Sequence, residues 1–292
     1  MILHVRSYFT YLGLETDFKK SKYVILPVPY DGTASYRSGA REGPFELINA
    51  SRNLETYDSE FGDVSNLIYT LPELQPNLNS VEEMMVRIEE TALDQLSQGK
   101  YLITLGGEHS ITYGVLRAFK KCYPKLSILH LDAHADLRED YEGSRLNHAC
   151  VMKRSRTREL YPDTVSVGVR SVCEEEAKCI SSEKMDVYPM SEDIDSKFDE
   201  IVSKLGKNVY LTFDIDALDP SIMPATGTPE PGGLLWHQTL RLLRKVFEKK
   251  NVVGFDLMEL CPIPGMHAPN FTAAKLLYKM IGYHSMNANK KK

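Results

Sequence analysis

The feature that most constrains this chain is an apolar run, Lys125 to Leu131, that breaks into Asp132-Ala-His134-Ala-Asp136. The run reads as a buried strand, and in an extended backbone residues two apart point to the same side. Asp132, His134 and Asp136 would therefore converge just past the strand's end. With no Lys or Arg among them, such groups repel one another and are costly to bury unless a cation lies between them. The pattern is half of a metal site.

The rest of the chain alternates in the same way. Apolar runs predict strands over 23–28, 101–105, 125–131, 164–168, 185–188, 209–213 and 251–257. Helical spacing covers 45–54, 80–98, 111–121, 173–182, 195–205, 234–249 and 270–283. Pro44 suits a first helical position, and Ser80 with Glu83 forms a capping box. Residues 55–79 carry no clear period, and the tail from about 285 to 292 reads as frayed. With no repeat and no flexible linker, the pattern implies one α/β domain over 1–292 with a mainly parallel sheet. In such sheets function collects at the carboxyl ends of the strands.

Composition excludes several classes. A net charge of -5 gives no electrostatic footprint for nucleic acid or an anionic membrane, and it mildly favours small cations. No apolar run reaches membrane-spanning length, and Met1-Ile-Leu-His-Val-Arg-Ser-Tyr8 lacks a secretory leader pattern. Five cysteines without a paired spacing do not make a disulfide framework, so a reducing cytoplasm is expected. The basic stretch Lys153 to Arg158 is read as a solvated helix end, and Arg37 and Arg41 as loop residues tied to surface carboxylates.

A second half-site follows the strand over 209–213, where Asp214-Ile-Asp216 repeats the two-residue spacing. Adding His109, after the strand over 101–105, gives four carboxylates and two imidazoles. Two ions sharing bridging carboxylates need that many acids; one does not. Oxygen donors with a minority of imidazole suit Mn²⁺ over Zn²⁺. A lone acid pair at a strand end is usually a cap or turn, and Asp219 before Pro220 is read that way. His130 lies deeper in its strand and is read as a hydrogen-bonded core histidine. Three such clusters together are not explained by caps.

Gly106-Gly-Glu-His-Ser110, Asp132-Ala-His-Ala-Asp136 and Asp214-Ile-Asp-Ala-Leu-Asp-Pro220 resemble the signature motifs of the ureohydrolases, the arginase and agmatinase superfamily. So do Gly39 to Pro44, Gly227 to Gly233 and Asp256 to Pro262, and the resemblance therefore spans nearly the whole chain. It implies a three-layer α/β/α fold with an eight-stranded parallel sheet, two Mn²⁺ per subunit, and a homo-oligomer (trimer or hexamer). It also implies hydrolysis of a guanidino compound to urea and an amine. On this resemblance His109, Asp132, Asp136 and Asp214 hold one manganese, and Asp132, His134, Asp214 and Asp216 the other. Hydroxide bridging the ions would attack the guanidinium carbon. His148 matches the proton-shuttling histidine, and Glu259 the carboxylate that grips the guanidinium, with Thr228 lining the same pocket.

The segment Asp136-Leu-Arg138-Glu-Asp-Tyr-Glu-Gly143 departs from arginase and looks like the agmatinase branch, as does Thr228-Pro-Glu-Pro231. The expected substrate is accordingly the dication agmatine, hydrolysed to putrescine and urea in polyamine synthesis. Glu139, Asp140 and Glu142 would suit that charge. Arg138 points the other way, since it could clamp the carboxylate of 4-guanidinobutanoate. A guanidino-acid hydrolase or an arginase is thus the alternative. A non-catalytic metal-binding relative is disfavoured because every ligand, His148 and Glu259 are present. A one-zinc deacetylase on a related fold is disfavoured because its tandem His pair is absent.

Overall fold

The computed structural model describes residues 9–290. The segment Met1 to Tyr8, where the leader pattern was sought, lies outside them, as do Lys291 and Lys292. In chain order the strands are β1 (Tyr23–Val28), β2 (Tyr57–Asp58), β3 (Gly62–Asp63), β4 (Ile68–Thr70), β5 (Tyr101–Gly106) and β6 (Ser127–Leu131). They continue with β7 (Thr164–Val169), β8 (Asp186–Pro189), β9 (Asn208–Asp214) and β10 (Asn251–Met258). The helices are α1 (Gly43–Ser51), α2 (Val81–Ser97), α3 (Ile111–Cys122), α4 (Val151–Ser155), α5 (Glu174–Ser182), α6 (Phe198–Lys204), α7 (Trp236–Lys249) and α8 (Ala268–Lys290).

Eight strands form one sheet in the order β4-β1-β5-β10-β9-β6-β7-β8, and every pairing in it is parallel. Parallel sheets need both faces covered, and alternate residues of each strand feed two separate cores. Leu129 and Leu131 of β6, with Val209, Leu211 and Phe213 of β9, pack on the side of α7 and α8. Ile128 and Tyr210, one residue out of phase, pack against Met85 and Ile88 of α2 and Phe119 of α3. The result is the three-layer α/β/α architecture. β5, β10, β9 and β6 are adjacent at its centre, so their carboxyl ends open on one spot.

Three details differ from the sequence pattern. β4 fell in the stretch without a period because it is three residues long at the sheet's edge, too short to show alternation. Across the tail read as frayed, α8 runs on to Lys290, and the Asn287 amide donates to the Phe247 carbonyl at 2.6 Å. Only half of the capping box forms. The Ser80 hydroxyl accepts from the Glu83 N–H, whereas the Glu83 carboxylate receives the side-chain amides of Asn77 and Asn79. Among the described residues no helix is long and apolar enough to cross a membrane, and none of the five cysteines is paired.

Candidate metal centre and pocket

The turn after β5 requires its two glycines. A Cβ on Gly106 would lie 1.9 Å from the Met258 sulfur, and one on Gly107 would lie 2.0 Å from the Tyr30 carbonyl oxygen. The chain can therefore pass between β1 and β10 and deliver His109 to the centre of the site. A Gly107→Ala variant must push on backbone that cannot yield. It is expected to lose about 1–3 kcal/mol in denaturant unfolding, and to bind less metal. Wild-type stability together with wild-type metal content would refute this account of the turn.

The two acidic motifs converge, by a geometry other than the extended one. β6 ends at Leu131, and the Asp132 carboxylate turns back to accept from the His134 N–H at 2.6 Å. Asp214 closes β9 in the same way, accepting from the Asp216 N–H at 2.9 Å as the chain enters a 3₁₀ turn. Each motif is thus an Asx turn rather than a continued strand. Asp136 reaches the cluster with φ 53°, and Glu259 leaves β10 with φ 65°, both in the left-handed region. Side chains other than glycine are held there only where the surroundings dictate it, often at functional sites.

The His109 Nδ1 atom lies 3.1 Å from Asp132 Oδ2, 3.1 Å from Asp214 Oδ2 and 3.5 Å from Asp136 Oδ2. None of these has the alignment of a hydrogen bond, so Nδ1 is a buried polar atom without a hydrogen-bonding partner. His134 Nδ1 lies 2.9 Å from Asp216 Oδ2 and 3.5 Å from Asp132 Oδ1. Asp132 stands between the two groups, each compact enough to surround a cation. His130 falls within the first group with His109, Asp132 and Asp136, but its Nε2 meets Asp132 Oδ2 at 2.8 Å and its Nδ1 meets the Ser166 hydroxyl at 3.1 Å. Both ring nitrogens are engaged, as its depth in β6 implies.

Burial, followed by the neighbouring carboxylates, raises the Asp136, Asp214 and Asp216 carboxyls. Burial would raise Asp132 too, but the histidines around it, His130 foremost, hold it well below the usual range. Four buried acids, an orphaned imidazole nitrogen and mostly oxygen donors fit divalent cations.

Beside the cluster lies a cavity of about 340 Å³, lined by His109, His134, Asp136, Asp214, Asp216 and Glu259 and walled by His148, Thr228 and Arg138. The Glu259 carboxylate accepts from the His109 N–H at 2.6 Å. His148 Nδ1 meets the Thr33 carbonyl oxygen at 2.9 Å. A carbonyl only accepts, so Nδ1 carries the proton and Nε2 is the free acceptor, 3.4 Å from the Ser35 hydroxyl. Burial, partly offset by that carbonyl, brings the imidazole down to about 4. Thr33 is itself fixed, donating to Glu108 from its N–H at 2.6 Å and from its hydroxyl at 2.7 Å. Glu108 and Thr33 carried no periodic signal in the sequence, since each acts through a loop contact far along the chain.

The mouth differs from expectation. Glu139 is paired with Arg145 and Arg154, and neither it nor Asp140 nor Glu142 lines the cavity. Glu176 and Glu230 do. The Glu176 carboxylate accepts from the N–H groups of Leu137 and Cys173, both at 2.9 Å, whereas that of Glu230 has no hydrogen bond or ion pair among the described residues. The Glu230 backbone is clamped: Arg170 donates to its carbonyl oxygen at 2.8 Å and to that of Asp216 at 2.7 Å. Arg138 lies over the Tyr141 ring, 4.7 Å from its centroid. Arg37 lines the cavity instead of pairing with a surface acid, and Arg41 pairs with Asp31, which is buried. Arg154 of the basic stretch is likewise tied down rather than solvated. Asp219 is the turn residue its place before Pro220 implies, accepting from the N–H groups of Ser221, Gly232 and Gly233.

The family model described as Arginase family matches residues 21–282. The chain is 38% identical to the N(1)-aminopropylagmatine ureohydrolase of Synechocystis, covering 94% of this chain and 93% of that protein. It is 37% identical to the agmatinase of Pyrococcus horikoshii, covering 91% and 93%. The crystal structure of the agmatine ureohydrolase of Thermoplasma volcanium superposes with a TM-score of 0.84 at 33% identity, over 94% of this chain and 93% of that one. With its eight-stranded parallel sheet and its acid–histidine cluster at the central strand ends, the chain belongs to the arginase family.

Proposed function

We propose that this protein hydrolyses the guanidino group of agmatine to urea and putrescine, with two Mn²⁺ at the acid–histidine cluster. The observation that carries the reading is the cluster itself: Asp132 stands between two ligand groups at the floor of a cavity that also holds His148 and Glu259. The reaction class, hydrolysis of an amidine C–N bond, is that of the family. His109, Asp132, Asp136 and Asp214 would hold one ion, and Asp132, His134, Asp214 and Asp216 the other. Metal held by these residues would lower the pKa of a coordinated water and so supply a nucleophile near neutral pH.

The remaining work falls to protein groups. Burial and the neighbouring acids Asp214 and Glu108 push the Glu259 carboxyl up, so a cationic guanidinium is the partner that would best stabilise its charged form. A carboxylate there can take the planar guanidinium in two parallel hydrogen bonds. The amine cannot leave as an anion, so a proton must reach its nitrogen. His148, with Nδ1–H anchored on Thr33, can accept that proton at Nε2 and hand it on. Thr228 would pack beside the substrate. Glu230 offers a carboxylate at the mouth for the distal ammonium of agmatine, and Arg37 and Arg138 would oppose it.

Urea release from agmatine, N1-aminopropylagmatine, arginine and 4-guanidinobutanoate, each after loading with Mn²⁺, tests the substrate. Agmatine is expected to give the highest kcat/KM. Relatives named as aminopropylagmatine ureohydrolases favour one second reading, the longer amine, which the same Glu230 would suit. Preference for 4-guanidinobutanoate would overturn the cationic-substrate reading and make Arg138 a carboxylate clamp.

A further inference from the structure

Behind His109, on the side away from the carboxylates, sits a buried acid that the chemistry above does not use. Asp256, in β10, is fully buried, and its two oxygens receive four donors. Oδ1 accepts from the Thr212 hydroxyl at 2.7 Å and the Phe213 N–H at 3.3 Å; Oδ2 accepts from the Tyr210 hydroxyl at 2.8 Å and the Thr112 hydroxyl at 3.0 Å. Thr212 in turn meets His109 Nε2 at 2.8 Å, and its distance to Thr112 Oγ1 is 3.3 Å.

The direction of these bonds follows from counting protons. As a carboxylate Asp256 can only accept, and each of its oxygens has two in-plane lone pairs for the two groups it faces, so the Thr212 hydroxyl donates to Oδ1. Burial raises this carboxyl, and His109 followed by the three hydroxyls pulls against that rise. Thr212 has one hydroxyl proton, and its shortest acceptor is Asp256. Toward His109 the Thr212 oxygen can then only accept, so Nε2 must carry the ring proton. The other nitrogen, Nδ1, faces Asp132, Asp136 and Asp214 and is therefore the one a cation would take in place of a proton.

We infer that Asp256 and Thr212 are positioning residues that fix the tautomer of His109, presenting Nδ1 as a ready ligand. Outer-shell partners of ligating histidines typically change metal affinity about 10- to 100-fold when removed. Thr212→Val keeps the side chain's shape and removes the acceptor. Asp256→Leu frees the Thr212 proton to point at Nε2, which drives the ring proton onto Nδ1, so its effect should be the larger. Thr212→Ser restores the relay.

The inference rests on His109 being a metal ligand, and the experiment separates the two claims. Mn²⁺ affinity and stoichiometry would be measured by calorimetry on chelator-stripped protein, with melting of the metal-free forms as a control for folding. The expected result is an affinity loss of about 10- to 100-fold in Thr212→Val, recovery in Thr212→Ser, and metal-free melting of the valine variant close to wild type. If His109→Ala lowers binding while Thr212→Val binds Mn²⁺ as wild type does, the relay is wrong and the ligand stands. If His109→Ala itself binds as wild type does, the ligand assignment and the relay fall together.

Discussion

Ala at His134 or at Asp216 is expected to remove bound metal and activity together. His134 Nδ1 and Asp216 Oδ2 lie 2.9 Å apart and belong to one of the two ligand sets alone, so losing either dismantles one half of the cage. Activity should fall to background, and bound Mn²⁺ should drop by about one ion per chain. Full metal content in both variants would overturn the ligand assignment. The same acids predict a dependence on pH in chelator-stripped protein. Asp136, Asp214 and Asp216 are raised by burial and by the neighbouring acids, Asp132 and Asp216 foremost, so folded protein holds protons that the unfolded chain releases near pH 4. Their contribution to stability is full below that point and is lost as pH rises. His109 and His134 are raised as well, His134 to about 12, because the carboxylates outweigh burial, so theirs is lost above about pH 6.5. The metal-free Tm should therefore decline between pH 6.5 and 8, and the Tm gain on adding Mn²⁺ should grow over that interval. A thousandfold excess of metal over Kd corresponds to about 4 kcal/mol per ion. A gain that shrinks as pH rises would contradict the cluster's electrostatics.

Much of this site was legible because its chemistry lies on short, contiguous motifs. Asp132, His134 and Asp136, or Asp214 and Asp216, betray themselves by placing acids directly after apolar strands. Strand parity groups these residues by a geometry the structure does not use: the spacing of two serves an Asx turn, in which the first acid's side chain caps the N–H two residues on. What stayed hidden depends on pairs remote in sequence. Glu108 and Thr33, 75 residues apart, set the orientation of His148, and Arg170 reaches 60 residues to clamp Glu230. Neither pair leaves a local period. The acidic loop misled because charge alone does not say which way a side chain faces; Glu139 is occupied by two arginines, and the open carboxylate at the mouth is Glu230. The three residues of β4 were invisible because an edge strand that short has no alternation to detect.

Replacing His148 by Ala should lower kcat by about 10²- to 10⁴-fold, the usual range for a positioned acid–base group, while bound Mn²⁺ stays at the wild-type level. That split distinguishes His148 from the ligands, whose loss empties the site. Since Nδ1–H is held by the Thr33 carbonyl oxygen, the working atom is Nε2, and free imidazole diffusing into the cavity should restore part of the rate to His148→Ala. It should restore nothing to His134→Ala or Asp216→Ala. The pH dependence has a definite sign. Burial lowers the His148 imidazole to about 4, so it is neutral and able to accept a proton from pH 5 upward. An activity inflection near pH 6.5 would belong to another group and should persist in His148→Ala. The same depression makes this one ring withdraw stability as pH falls from 6.5 toward 4, against the gain from the raised carboxyls, because the unfolded chain takes up a proton that the buried ring refuses. His148→Ala should soften that decline in Tm. An unchanged kcat in the variant would refute the shuttle, and a decline in Tm as steep as in the wild type would refute the buried, neutral imidazole.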